Sequence, residues 1–292
     1  MDRLAQAVVD GILQGSVLSL AAVGFSLVFG VLGIVNLSHG LLVIVGAYLA
    51  LVARQAFGLD PLIAMPFVAA IGFGLGYIYQ RYVVSPAINR STIVSSLLVT
   101  YAMALIAQNL IALLFSPDVM SIRPNYANLH TQIAGITLNL LQVIACVAGL
   151  LLITALSILL YRLPIGRTIR ATAEEVLAAR VCGVDVEQVY ALTFGIASAF
   201  AAAAGVLIGM LFPFSPSSHE HWTIYGFVVV VLGGVGSASG ALVGGLLLGL
   251  ISTLTTQFIG PAYPNVFVFL TLVFMLLVRP NGLLGNAFGG SR

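Results

Sequence analysis

Residues 221–278 read HWTIYGFVVVVLGGVGSASGALVGGLLLGLISTLTTQFIGPAYPNVFVFLTLVFMLLV, 58 consecutive positions without Asp, Glu, Lys or Arg. A hydrocarbon core about 30 Å thick takes roughly 20 helical residues to cross, so this run crosses lipid more than once. A second uncharged run of 43 residues separates Asp10 from Arg54. Barrel strands would alternate with period two over about ten residues. Here the apolar stretches are continuous, as in Val147–Leu160 and Phe267–Val278, and a helix satisfies its own backbone hydrogen bonds in lipid. The chain therefore reads as an all-α integral membrane protein, a polytopic bundle of about eight to ten spans in one domain over residues 1–292.

Candidate spans are 6–32, 40–56, 61–83, 93–115, 138–161, 188–212, a short one at 223–235, then 240–258 and 263–280. Asp2-Arg3 and the long apolar stretch behind them show no small-residue cleavage site after a short apolar core, so the first span is expected to be retained. Connections are short except 116–137, which is polar and holds Pro117 and Pro124, and 162–187. All eleven basic residues are arginine. Without lysine the chain lacks the residue a P-loop uses to reach phosphates, and a Schiff-base lysine is excluded too. A formal net charge of +2 gives no footprint for nucleic acid. Cys146 sits in an apolar run and Cys182 in the charged loop, so no disulfide is expected between them. No Asp, Glu or Arg falls well inside a span by this assignment, whereas proton-coupled carriers keep ionisable relays there.

Two fifths of the chain's charged residues are local. From Arg162 to Glu187 four arginines and four acidic residues share 26 positions. Arginine placement puts this loop, the loop 84–92 and Arg279 in the cytoplasm, with 116–137, 213–222 and the N-terminus outside. Residues 167–181 contain neither Gly nor Pro and are expected to form one helix, with Gly183 as its stop. Ile169, Ala173, Val176 and Leu177 share one face; Arg167, Arg170 and Glu174 share another. Two readings stay open, a helix lying on the membrane interface or one inserted into a cytoplasmic partner, and the concentration of charge favours the second.

Two segments interrupt the apolar runs. Asn36-Leu-Ser38-His39-Gly40 reads either as a polar turn at the membrane surface or as a helix break whose polar groups serve freed backbone or a solute. Gly233-Gly234-Val-Gly236-Ser237-Ala-Ser239-Gly240 reads as close helix packing, with Gly236, Gly240 and Gly244 at four-residue spacing, or as a second break. Gly33–Gly40 and Gly233–Gly240 share a Gly-x6-Gly frame, a faint internal echo of the kind duplicated transporters show. His219-Glu220-His221 is a weak metal fragment, expected to be a solvated loop. Gln108, Asn109 and Gln257 are expected to bond across helices. No acid, base and nucleophile converge into a catalytic set.

Taken in order, the segments resemble the permease family of high-affinity branched-chain amino acid importers of the ATP-binding-cassette class. The matching pieces are Val35–Gly40 with Gly46-Ala47-Tyr48, then Gly166-Arg167, Arg170–Glu174 and Gly183-Val184. Ala203–Leu207, Leu232–Ser237 with Gly240-Ala241, and Arg279–Gly285 follow. The resemblance implies a subunit of the bacterial inner membrane, paired with a second homologous permease, two cytoplasmic ATP-binding subunits and a periplasmic substrate-binding protein. It implies ATPase coupling at Arg167, Arg170, Ala171, Glu174, Glu175 and Gly183. On the helix-break reading, the solute path lies near Asn36, Ser38, His39 and Gly40 and near Gly233, Gly234, Gly236, Ser237, Ser239 and Gly240. No cofactor or metal is expected. The alternative is a secondary transporter or channel for a small neutral solute such as urea or an amide.

Overall fold

The computed structural model describes residues 2–90, 93–133 and 135–284. Helix α1 (Asp2–Leu32) is followed by α2 (His39–Phe57), α3 (Pro61–Tyr79), a π-helical turn (Gln80–Val84) and α4 (Ser85–Arg90). α5 (Ile93–Phe115) leads to an antiparallel hairpin, β1 (His130–Ile133) and β2 (Ile136–Asn139), with His130 opposite Asn139. Next come α6 (Leu140–Arg162), α7 (Pro164–Glu174), α8 (Val176–Val181), α9 (Val186–Leu211), α10 (His219–Gly233), α11 (Ala238–Phe258) and α12 (Pro264–Val278).

The boundaries have local causes. Pro61 occupies the first turn of α3, and the Asp60 carboxylate accepts from the Leu62 amide at 2.9 Å; proline costs nothing where its N–H would be unpaired anyway. Asn139 and Asp185 cap α6 and α9 in the same way. Among the described residues, seven helices are long and apolar enough to cross a membrane. The other two expected segments become α10 and α12, fifteen residues each, about 22 Å at 1.5 Å per residue. Both fall short of a full hydrocarbon core.

In lipid, helices gain nothing from hiding apolar surface from water, so they associate through close packing of small residues. α1 and α9 form the centre on this basis. Gly24 of α1 lies against the Ala197 carbonyl, Gly46 of α2 against Ala202, and Gly205 of α9 against the Val43 carbonyl. Along the other side of α1, Gly11 and Gly15 meet Leu250 and Leu246, while Gly245 and Gly249 of α11 meet Ser19 and Gly15. The opposite face of α11 packs Gly240 and Gly244 on α10. α5 and α12 lie outside and turn large apolar side chains outward, with Leu113 85% and Leu277 80% exposed.

Two ends of the bundle can be told apart. At the hairpin end, Gln6 bonds both the Thr137 amide and its carbonyl at 2.9 Å. Tyr126 bonds Asp60 at 3.1 Å, and Met120 pairs with Phe214 as a β-bridge. The start of α1, the α2–α3 turn, residues 116–133, 135–139 and 212–215 therefore share that end. α6 leads from it to the arginine end, which carries α7 and α8.

Candidate functional site

The chain leaves α1 through Gly33 (φ +67°) and begins α2 only at His39. The intervening segment is no surface turn. Asn36, Ser38 and His39 are at most 2% exposed, and His39 Nε2 lies 2.7 Å from the Ala21 carbonyl. Ala21 stands eleven residues from Asp10 and eleven from Leu32, close to half-depth. Backbone freed at this depth must find partners inside the protein, and it does. Asn36 Oδ1 accepts from the Ser38 amide at 3.0 Å and its hydroxyl at 2.6 Å. Thr100 of α5 accepts from the Leu37 amide at 3.2 Å, and Thr223 of α10 accepts from Gly40 at 2.9 Å. Tyr79 of α3 lies 3.2 Å from the Ser38 hydroxyl. A side chain at Gly40 would run into the His219 carbonyl and Thr223.

The second interruption spans 234–237. Gly234 and Gly236 have φ of +108° and +78°, values that only glycine adopts without strain. The Gly236 amide donates to Ser26 of α1 at 3.0 Å, and Ser237 caps α11 by accepting from Gly240 at 3.0 Å. Ser239 lies 2.8 Å from the Ser237 hydroxyl. Gly233 and Gly240 touch backbone to backbone. Residues 279–284 clip onto the same place: the Leu283 amide donates to Leu232 at 2.9 Å and the Leu284 amide to Gly233 at 3.1 Å. Gly282 (φ +73°) sits on Gly234 where no Cβ would fit. The sequence shows a tail here, and the clip was missed; Asn281-Gly282 as a turn before Leu283-Leu284 was the available signal. Gly285 lies outside the described residues.

These two breaks do not share a site. Thr223, which holds the first, and Gly233, which begins the second, are ten residues apart on α10, roughly 15 Å. What meets the first break is the start of α10. Residues 212–218 run in from the hairpin end, Pro216–Ser218 make a 3-10 turn, and α10 starts at His219. Thus Ser38-His39 and Ser218-His219 each open a helix, both histidines 1% exposed, one approached from each end of the bundle. The echo of Gly33–Gly40 in Gly233–Gly240 is corrected accordingly: the topological counterpart is 212–219.

Two further corrections follow. His219-Glu220-His221 is the first turn of α10, not a solvated loop, and no three metal-ligating side chains converge among the described residues. Gln108 does bond across helices, to His219 Nε2 at 2.8 Å, while Asn109 bonds the Leu105 carbonyl of its own helix.

At the arginine end the single helix expected over 167–181 is two. α7 ends at Glu174; Glu175 is extended (φ −152°), and its carboxylate caps α8 through the Leu177 amide at 3.2 Å. A carboxylate that can serve as an N-cap competes with continued helix, a cue that composition alone hides. Gly183 (φ +83°) closes α8, with its amide on Arg180 and the Val184 amide on Ala179. The expected apolar face splits. Ile169 is buried, Ala173 and Val176 are half-buried, and Leu177 is 69% exposed beside Val181 at 89%. Arg167, Ala171 and Glu174 are exposed, and the Arg170 guanidinium lies 4.9 Å from the centre of the Tyr161 ring. A groove of ≈ 300 Å³ opens beside α7, lined by Ile165, Thr168, Asp185 and Gln188 among others.

Residues 7–278 match the family described as "Branched-chain amino acid transport system / permease component". The chain belongs to this permease family. It is 30% identical to the high-affinity branched-chain amino acid transport system permease protein BraD of Pseudomonas aeruginosa, over 96% of this chain and 95% of that one. To LivH of Escherichia coli, described in the same words, it is 31% identical over 96% and 95%. To LivM of Escherichia coli it is 26% identical over 91% of this chain and 67% of LivM. No solved structure matches it. Within the permease, the motif pieces Val35–Gly40, Leu232–Ser237 and Arg279–Leu284 are the parts that build the two breaks, and Gly166–Val184 is the arginine-end loop.

Proposed function

We propose that this chain is the membrane-spanning subunit of an ATP-driven importer for branched-chain or related amino acids, with ATP hydrolysed on separate subunits. The match over residues 7–278 carries this reading, and the absence of lysine from the sequence agrees with it. In this reading the chain crosses the membrane nine times, through α1, α2, α3, α5, α6, α9, α10, α11 and α12. α2 and α10 are each entered through a non-helical segment, 33–38 and 212–218. The arginine end faces the cytoplasm of a bacterial inner membrane, the hairpin end faces the periplasm and its substrate-binding protein, and a second homologous permease completes the solute path. LivH and LivM, both permease proteins of one bacterium and both similar to this chain, support such pairing.

The coupling surface is α7–α8, with Arg167, Arg170, Ala171, Glu174, Glu175 and Gly183 positioning it. Exposed Leu177 and Val181 stand one helical turn apart, so α8 presents apolar knobs to a partner inside a rim of charge. The breaks at Asn36–Gly40 and Gly233–Gly240 are the parts that move when the coupling surface is pulled. Arg170→Glu reverses the charge over Tyr161, and Gly183→Leu forces a branched residue to positive φ at a cost of about 1–2 kcal/mol. Both variants should lose co-purification with the ATPase subunits and ATP-driven uptake into vesicles. Unchanged association and uptake in both would defeat the coupling role. Gradient-driven uptake by the purified chain alone would establish a secondary transporter instead.

A further inference from the structure

α5 is held differently from the centre of the bundle. Its span is 17% buried, against 83% for α1 and for α9. Among the described residues of this helix, Ser96, Thr100, Ala104 and Ile111 are the buried ones. The first three recur every fourth residue on one inward face. That face carries hydroxyls where α1, α9 and α11 carry glycines in close backbone contact. The outward side is apolar, with Leu98, Ile106, Leu110 and Leu113 exposed.

Among the described residues, two side chains of α5 pin it to the first break and to α10. Thr100 accepts from the Leu37 amide at 3.2 Å, and Gln108 Oε1 lies 2.8 Å from His219 Nε2. Thr223 closes the ring behind them, its hydroxyl 3.4 Å from the Leu37 carbonyl and 2.9 Å from the His219 carbonyl. Thr100 and Gln108 stand eight residues apart, roughly 12 Å, with Ala104 midway. The bland account is a structural staple. A hydrogen bond between membrane helices gives about 0.6 kcal/mol on average, so two give about 1 kcal/mol. The same seam strands polar atoms. Asn36, the residue before Leu37, has its buried Nδ2 without an acceptor, and His219, which holds Gln108, has its buried Nδ1 without a partner. Each such group costs about 1–3 kcal/mol, so the two orphans outweigh the two bonds. A contact built only to fasten α5 gains nothing from this arrangement. A contact that opens in a working cycle does, because water then reaches Asn36 and His219 and offsets the loss of the bonds.

We propose that α5 is a movable wall of the solute path. It withdraws from the first break and from the start of α10, water and solute enter the polar seam behind it, and Thr100 and Gln108 are the latches that close it again. The proposal rests on the permease reading and names the element that moves. The closed seam is the state seen in the structure, with Ala104 fully buried at its centre.

The test uses the assembled transporter, with Cys146 and Cys182 replaced by alanine and serine. In nanodiscs, where both faces are open to reagent, Ala104→Cys should react with a charged methanethiosulfonate at least about tenfold faster during turnover with Mg-ATP and L-leucine than at rest. Ile106→Cys, on the outward side of α5, should stay unlabelled in both. In proteoliposomes, Gln108→Cys places a thiol beside the His219 imidazole, a pair that Cd²⁺ can bridge. Cd²⁺ should protect Cys at 108 from N-ethylmaleimide and slow uptake of radiolabelled L-leucine about tenfold or more, with recovery on adding EDTA. With His219→Ala added, Cd²⁺ should leave that variant's own rate unchanged. Equal labelling of Ala104→Cys at rest and in turnover, or undiminished uptake by Gln108→Cys while Cd²⁺ protects the thiol, overturns the proposal. A thiol at 108 that Cd²⁺ does not protect removes the contact with His219 and overturns it as well. Failure of the unsubstituted chain to bind ATPase subunits or to import L-leucine overturns the permease reading and the moving wall with it; ATP-driven import with a silent Ala104→Cys overturns the wall alone.

Discussion

The two breaks solve one problem by different means. Each leaves backbone N–H and C=O groups without helical partners where water is scarce, a cost of about 1–3 kcal/mol per unsatisfied group. At 33–40 the backbone partners are Asn36 and two side chains recruited from other helices, Thr100 and Thr223, while Tyr79 of α3 meets the Ser38 hydroxyl. At 234–237 the chain relies on glycine, whose missing side chains let Gly233, Gly240 and the 279–284 clip come within backbone reach. The first break is therefore tied to α3, α5 and α10 and senses their movement. The second is tied to α1 by one bond, from the Gly236 amide to Ser26, and otherwise to glycine backbone in close contact.

The largest expected effect tests that steric dependence. Gly233→Val would drive a Cβ into the Gly240 carbonyl, backbone against backbone, where no rotamer change helps. Overpacking costs typically 1–3 kcal/mol and more where nothing can yield, so a loss of at least ~3 kcal/mol is expected, seen as aggregation on size-exclusion chromatography in detergent. A monodisperse variant with the parental Tm would show that the second break has room to relax, and the contrast with the first would dissolve.

Asn36→Ala probes the other mechanism. It removes the acceptor for the Ser38 amide and hydroxyl, both buried, at a cost of about 1–3 kcal/mol. A clear fall in Tm with a monodisperse profile is expected. Serine at the same position, which keeps an acceptor, should recover part of the loss; if it behaves as alanine does, volume rather than hydrogen bonding decides.

What could be read in the sequence follows the same division. Spans whose apolar run ends in a charge or a turn are legible to within a few residues, as 40–56 against His39–Phe57 and 240–258 against Ala238–Phe258, because lipid thickness sets their length. The start of α10 was hidden because Glu220 and two histidines look like a loop; the 3-10 turn Pro216–Ser218 leads straight into the helix. The partner of the first break was hidden because Ser38-His39 and Ser218-His219 match over only two residues. The split at Glu175 and the clip at Leu283 depend on contacts that no local composition announces. Both breaks were recognised as special from their polar and glycine content, but their separation along α10 was not.

A smaller effect is expected from the clip. Ending the chain after Asn281 removes the Leu283 and Leu284 donors to Leu232 and Gly233, about 0.5–1.5 kcal/mol for each bond. Hydrogen exchange should speed up at the Gly234 and Gly236 amides while those of His39–Leu41 keep their protection. Equal loosening at both places would mean that the breaks are coupled through α10, contrary to their different anchoring.

The smallest effect concerns the far end of α2, which starts at the first break and stops at the Asp60 turn. Tyr126 donates to Asp60 Oδ1 at 3.1 Å, while Asp60 also holds the Leu62 amide, so Tyr126→Phe should cost at most about 1 kcal/mol. Burial first, then the Asp60 hydrogen bond and charge, push the Tyr126 phenol up to about 12, with Arg54 opposing. A folded-state value raised above the usual ~10 means that the folded chain holds this proton more tightly. The contribution is then complete below pH 10 and disappears as pH climbs toward 12. The Tm difference between wild type and Tyr126→Phe should thus be constant from neutral pH to about 10 and shrink above it. Exchange at Leu37 and Gly40 should be the same in wild type and Tyr126→Phe across this range, because their amides are held by Thr100 and Thr223, which do not titrate, and the Tyr79 phenol at Ser38 is common to both chains. Were the break to loosen in step with Tyr126, α2 would be transmitting force along its whole length, and the anchoring by α5 and α10 would be too weak to make the first break an independent joint.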